Sequence, residues 1–264
     1  FLKYKIEICF HLAAQVEVGS AVKYPYLTWE TNIRGTYTLL EVIRENKKQI
    51  KSVVVASSDK AYGHYPLHKL PYKEDYELKA EFPYDTSKAC ADMITRTYSS
   101  KVFKLPILIT RFANIYGPGQ LNFTAIIPDL IKCCLLNRKF IVRSNGQSIR
   151  DFVYIDDIVY LYKILSKNLY TNPKKFSGQV FNAGTSTQHK IKDIIEKIFI
   201  YGKKKNELKD IYKKMKNKKT TGELSIQYMD YEKINHYLGW HPKYKFTKTL
   251  PALFNWYKKY FRKR

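Results

Sequence analysis

The sequence predicts an α/β protein: a parallel β-sheet with helices packed on both of its faces. Three observations carry this. Short apolar runs rich in Val, Ile and Phe alternate with longer stretches of helical spacing. The first of these runs are continuously apolar rather than alternating, as strands covered on both faces are. The chain of 264 residues, 45% hydrophobic and 27% charged, can bury a sizeable core in one large domain or two small ones.

The elements follow in order. "KIEICFHLAA", residues 5–14, reads as a buried strand ending in small residues. "NIRGTYTLLEVIRENK", 32–47, has helical spacing at Ile33, Tyr37, Leu40 and Ile43. "KSVVVASS", 51–58, is a second buried strand, and a polar, proline-containing loop leads from it to Pro83. A helix is expected from Tyr84 to about Ser100, then the strand "LPILITRF", 105–112. Beyond "NIYGPGQ" the pattern loosens. It predicts a helix over 126–136, short strands near 140–143 and 152–155, and a helix over 156–165. A strand at 179–182, a helix over 191–201 and two closing helices complete the reading. Residues 1–122 would therefore hold the sheet. Residues 123–264 would form a smaller lobe on the C-terminal ends of its strands, with segments returning to the sheet. No internal repeat is visible.

The net charge of +24 raises a nucleic-acid reading, but its distribution opposes one. Much of it lies in "GKKKNELKDIYKKMKNKK", 202–219, and in the closing "KKYFRKR", and it is Lys rather than Arg. A solvated, Lys-heavy surface is the simpler account, and such a surface can attract a phosphorylated ligand. No nucleic-acid-binding module accompanies it. No apolar run approaches a membrane span, and no cleavable signal opens the chain. Cys9, Cys90, Cys133 and Cys134 form no C-x-x-C motif and no metal-like grouping with the six His. A reduced, cytoplasmic chain without membrane or metal is expected.

"EFPYDTSKACADM" sets Tyr84 and Lys88 four residues apart at the start of a helix. Such a pair can be solvated decoration, or an acid–base pair that moves a proton off a hydroxyl. Its company decides between them. "FHLAAQ", "ASSDKAYG", "PYDTSK" and "RFANIYGPGQLNF" each end a predicted strand or open the next helix. That edge of a parallel sheet is where ligands bind. Together with "RDFVYIDD" and "LGWHP" followed by "FNWYKKYF", these stretches resemble the extended short-chain dehydrogenase/reductase family of nucleotide-sugar epimerases and dehydratases. The resemblance is strongest to its CDP-glucose 4,6-dehydratase-like branch and covers nearly the whole chain.

The resemblance implies a Rossmann-like, doubly wound sheet, a tightly bound NAD and a nucleoside diphosphate sugar as substrate. Tyr84 would take the proton from the sugar O4. A phenol of pKa about 10 needs help to do so, which Lys88 and the positive nicotinamide would give. Ser58, or Ser57 if the register slips, would hydrogen-bond the O4 hydroxyl. Asp59 would protonate the departing C6 hydroxyl. Lys60 stands where related dehydratases commonly carry a Glu that takes the C5 proton, so the identity of the C5 base stays open. Cofactor contacts would come from Leu12, Ala13, Ala14, Gln15, Asn32, Ser57, Tyr84, Lys88 and the backbone near Ala113. Substrate contacts would come from Ser58, Asn114, Asn122, Val142, Arg143 and Arg150, the last a bidentate donor to the diphosphate. His11 would be a buried structural residue, and Asp156 and Asp157 helix caps.

The implied reaction is 4,6-dehydration, with 4-epimerization on the same scaffold as the alternative and a non-catalytic basic binding protein as a third reading. Asp59 separates the first two, because an epimerase has no task for that acid. Relatives dimerize through helices corresponding to 32–47 and 84–100. One expected element is absent: no G-x-G-x-x-G or G-x-x-G-x-x-G occurs in these 264 residues. Family members open with a β–α–β–α–β unit of on the order of 60 residues that carries it. The chain, which begins at Phe1, is therefore read as a fragment of an intact enzyme, with a truncated remnant as the alternative. Its first strand would lie at a sheet edge.

Overall fold

The computed structural model describes residues 1–218 and 224–263. The first half opens with strand β1 (Ile8–His11), followed by the short helices α1 (Val18–Lys23) and α2 (Pro25–Trp29). A π-helical turn (Glu30–Arg34) leads into α3 (Gly35–Glu45). Strand β2 (Ser52–Ala56) ends in a 3-10 turn (Asp59–Tyr62). The long helix α4 (Pro83–Ser99) begins with Pro83 in its first turn, where a missing N–H costs nothing. Strand β3 (Ile107–Phe112) follows.

The second half runs through β4 (Asn114–Tyr116), α5 (Ile126–Leu136), β5 (Ile149–Arg150), β6 (Phe152–Tyr154), α6 (Ile155–Thr171) and α7 (Pro173–Phe176). Then come β7 (Val180–Ala183), β8 (His189–Lys190), α8 (Ile191–Tyr201), α9 (Leu208–Lys216), β9 (Ile226–Gln227), α10 (Glu232–Leu238) and α11 (Phe246–Arg262). Strands β1, β2, β3 and β7 form one parallel sheet in that order, so the chain returns to the sheet at β7. Strands β4 and β6 pair in parallel, and β5 lies between β8 and β9.

Side-chain alternation along the strands explains the two helical layers. Val53, Val55 and Ile107 point to one face and pack with Leu40 and Ile43 of α3. Val54, Leu108 and Phe181 point to the other and pack with Ile158, Leu161 and Leu165 of α6. A separate core joins α5, α8, α9 and α11 through residues such as Leu130, Ile194, Met215 and Leu253. No helix among the described residues is long and apolar enough to cross a membrane.

Buried ionic groups tie the layers together. Arg111 of β3 grips Asp92 of α4 with Nε–Oδ2 at 2.8 Å and Nη2–Oδ1 at 2.9 Å, both side chains fully buried. Arg111 also donates to the Tyr62 hydroxyl, which donates to Asn182 on β7. Asp151 accepts hydrogen bonds from the backbone N–H groups of Thr185 and Ser186 and from the Thr185 hydroxyl. Gly184 lies hard against it: a Cβ there would stand 2.2 Å from Asp151 Oδ2.

The structure corrects several expectations. Residues 140–143 form no strand. Phe140 and Val142 point inward and Ile141 and Arg143 outward, but no neighbouring strand pairs with them. Alternation alone imitated a ladder. Helical structure before α3 begins at Val18, where the sequence shows no clear apolar period. Asp157 does not cap α6; it accepts from the backbone N–H groups of Lys243 and Tyr244 and so pins the segment before α11. The Lys-rich stretch 202–219 is not solvated throughout, since α9 buries Leu208, Ile211 and Met215; Lys219 lies outside the described residues.

Candidate active site

The C-terminal ends of β1 and β2 and the first turns of α4 meet at one edge of the sheet, the ligand-binding edge of such folds. Residues 12–15 leave β1 as an extended segment in which Leu12 and Ala13 are exposed and Ala14 and Gln15 half-buried. Asn32 holds this segment in place. Its Oδ1 accepts from Gln15 N–H at 2.7 Å and its Nδ2 donates to Gln15 O at 3.0 Å. Nδ2 also reaches Ser87 Oγ at 2.8 Å, and Ser87 donates to the Tyr84 carbonyl. The π-turn is what carries the Asn32 side chain inward to a buried position; such turns recur at functional sites. His11 hydrogen-bonds Thr36 at 2.9 Å, and burial followed by the charge of Lys88 lowers its pKa, which agrees with a structural role.

Helix α4 presents a stripe that is polar yet buried: Tyr84, Asp85, Ser87, Lys88, Asp92 and Thr95. Lys88 Nζ donates to the carbonyl oxygen of Ala56 at 2.6 Å. Burial lowers its pKa to about 8, against an upward pull from Asp92. Burial pushes the Tyr84 phenol well above its usual value; Ser58 opposes this, while Asp59 and Asp85 add to it. Lys88 is not among the groups acting on that phenol. The Lys88 ammonium is held instead against the β2 carbonyl.

Around the 3-10 turn the geometry is tight. Ser57 donates to Lys88 O at 3.4 Å. Ser58 caps the turn by accepting from Lys60 N–H, and it donates to Asp59 Oδ1 at 3.1 Å. Asp59 is 3% exposed, and its Oδ2 has no hydrogen-bond partner among the described residues. Burial raises its pKa, with Lys60, Ser58 and Arg150 pulling the other way. Lys60 Nζ donates to Gln227 Oε1 at 3.0 Å, and the Gln227 Nε2 is itself buried without a partner. Arg150 of β5 is buried beside Gln227 of β9, in register with it, and donates to the carbonyl of Ile149 at 2.8 Å. Its charge acts on both Asp59 and Asp85.

The remaining candidates lie further along the cleft. Ala113 is buried, and its N–H donates to Ala183 O at 2.9 Å. Asn114 Nδ2 donates to Asp151 O at 3.2 Å. Asn122 Oδ1 accepts from Thr124 N–H at 2.9 Å, shaping the turn before α5. Val142 is buried in the core that joins α5 and α8. Arg143 bridges the Thr124 carbonyl and Asp129 at 2.8 and 2.9 Å.

A sequence profile described as GDP-mannose 4,6 dehydratase matches residues 1–252. The chain belongs to this family. It is 29% identical over 270 residues to the CDP-glucose 4,6-dehydratase of Salmonella typhimurium, covering 98% of this chain and 73% of that protein. It is 35% identical over 207 residues to the dTDP-D-glucose 4,6-dehydratase of Dictyostelium discoideum, covering 75% and 45%. The crystal structure of dTDP-glucose 4,6-dehydratase from Bacillus anthracis in complex with NAD superposes with a TM-score of 0.81 at 26% identity, over 98% of this chain and 74% of that one. The UDP-glucose 4-epimerase of Thermotoga maritima shares the fold with a TM-score of 0.80 at 24% identity.

Within this member of the family, Ser58, Asp59, Lys60, Tyr84 and Arg150 come from three elements: the capped 3-10 turn, α4 and β5. Sequence reasoning missed Asp85 and Gln227. Asp85 lies within "PYDTSK", where an acidic residue in a helix's first turn carries no distinguishing signal. Gln227 carries no sequence signal; only the pairing of β9 with β5 brings it to the site.

Proposed function

We propose that this chain carries the catalytic centre of a nucleotide-sugar 4,6-dehydratase. The observation that carries the reading is Asp59, a carboxyl group that follows Ser58 directly, is buried with one oxygen unpartnered among the described residues, and has its pKa raised by that burial, which favours the proton-carrying form. A proton donor held in that state is what the departure of a C6 hydroxyl requires. Family membership and relatives named as CDP-glucose and dTDP-glucose 4,6-dehydratases support the same conclusion.

The residues at the sheet edge fit the nicotinamide end of NAD. Leu12 and Ala13 expose backbone beside the strand ends, Ala14 and the buried Ala113 bring no bulk, and Lys88 stands over the end of β2. When bound there, NAD supplies the acceptor of the C4 hydride and its return to C6. Tyr84 and Ser58 hold and remove the O4 proton, and Asp59 gives its proton to the C6 oxygen. Arg150 supplies a guanidinium for the substrate diphosphate, with Asn114 and Asn122 flanking the sugar. Lys88 orients the cofactor ribose.

A 4-epimerase shares Tyr84 and Ser58 but leaves Asp59 without a task. The test is an Asp59→Asn variant assayed on CDP-glucose, dTDP-glucose and UDP-glucose. Loss of the 4-keto-6-deoxy product by about 10²- to 10⁴-fold, with sugar-nucleotide binding retained, is expected. Unchanged turnover contradicts the reading.

The assembly we propose is a homodimer through residues 32–47 and 84–100. Support comes from Tyr37 on α3 and Met93 on α4, large apolar side chains left exposed on packed helices. Light scattering on the protein and on a Met93→Glu variant tests it: dimer and monomer respectively are expected, and a monomeric parent contradicts it.

A further inference from the structure

Elimination of water from a 4-keto sugar needs a base at C5 as well as an acid at C6. Lys60 stands at the position where a carboxylate base is expected, and it is committed elsewhere: its ammonium donates to Gln227 Oε1 at 3.0 Å. An ammonium has no lone pair with which to take a proton. We propose that Asp85, the residue immediately after Tyr84, takes the C5 proton in this chain. The assignment rests on the dehydratase reading above.

Asp85 sits in the first turn of α4, one residue from Tyr84, facing the 3-10 turn that carries Asp59 and Lys60. It is 3% exposed. Among the described residues no other side chain hydrogen-bonds or ion-pairs with its carboxylate, which is hydrogen-bonded to its own backbone N–H. A buried carboxylate that forms no direct ion pair is costly to keep. Placed between the Tyr84 phenol and the turn that carries Asp59, it is positioned for a task there. Two polar atoms on the neighbouring elements, Asp59 Oδ2 and Gln227 Nε2, are buried without a hydrogen-bond partner among the described residues.

The electrostatics divide the labour between the two acids. Lys60 and Arg150 both favour the ionised form of Asp85, whereas Asp59 and burial oppose it, with burial the largest influence. The balance leaves Asp85 at about 6, ionised at neutral pH and still basic enough to take a proton. Neighbouring carboxyls resist ionising together, and burial raises the Asp59 pKa, so the pair is suited to divide an acid and a base task. In the step itself, the Asp85 carboxylate binds the C5 proton, whose acidity the C4 carbonyl raises. The C5–H electron pair becomes the C5–C6 double bond, the C6–O bond breaks, and the leaving hydroxyl takes the Asp59 proton and departs as water. Asp85 exchanges that proton with solvent and gives a solvent-derived proton to C5 when hydride returns to C6.

The test is Asp85→Asn in the full-length, NAD-loaded protein, with CDP-glucose and dTDP-glucose as probes in deuterated water. C4 oxidation, read by the nicotinamide absorbance, should persist while C5 deuterium incorporation and elimination fall by at least about 10²-fold. Retained elimination overturns the assignment, and so does loss of C4 oxidation together with elimination, which would make Asp85 a positioning residue for Tyr84. If Asp85→Asn fails to fold, carbon-13 NMR of the parent's Asp85 carboxyl decides. A titration near 6 that moves on adding the sugar nucleotide supports the proposal, and one indifferent to it overturns the proposal. A parent protein that makes no 4-keto-6-deoxy sugar at all fails the dehydratase reading first, and this assignment with it.

Discussion

Lys88 Nζ donates a 2.6 Å hydrogen bond to the carbonyl oxygen of Ala56, the last residue of β2. One contact thus ties the middle of the α4 stripe to the end of a strand and fixes the ammonium over the sheet edge. Burial raises the Tyr84 pKa, with Ser58 opposing, and lowers that of Lys88, with Asp92 opposing.

Such shifts predict a bell-shaped pH dependence of kcat/KM. Asp85 must be ionised to take a proton, so activity is lost as pH falls through about 6. Lys88 must carry its proton to hold an anionic or hydroxylated ligand, so activity is lost as pH rises through about 8. A pH–rate profile of the free enzyme checks both limbs. In Asp85→Asn the acidic limb at about 6 should disappear.

The buried Arg111–Asp92 pair predicts a large and asymmetric response. Asp92→Ala leaves a fully buried guanidinium without its carboxylate and should cost about 3–5 kcal/mol, read as a shifted denaturant midpoint. An unchanged midpoint would show that Arg111 finds another partner.

Gly184→Ala should destabilize by about 1–3 kcal/mol through overpacking, because its Cβ would collide with Asp151 Oδ2 at 2.2 Å. Thermal unfolding measures this. The effect should shrink when Asp151 is shortened to Ser at the same time, since the two sites share the clash.

The sheet was legible because "VVVA" and "LPILITRF" are buried on both faces and so leave continuous apolar runs. The Tyr84, Ser58 and Asp59 cluster was legible because strand ends and helix starts bring their motifs to one edge. What stayed hidden depends on non-local pairing. Gln227 reaches the site only through a two-residue strand, and Asp85 is distinguished from a common helix-start acid only by its burial. Residues 140–143 misled for the opposite reason: their alternation is real, but inside the lobe it reflects burial against α-helical layers rather than a β-ladder.

The most direct measurement is the isotopic fate of C5 when the full-length protein, loaded with NAD, turns over CDP-glucose or dTDP-glucose in deuterated water. The account predicts a 4-keto-6-deoxy sugar nucleotide carrying deuterium at C5. A 4-epimer that keeps its C6 hydroxyl and its original C5 hydrogen would contradict it.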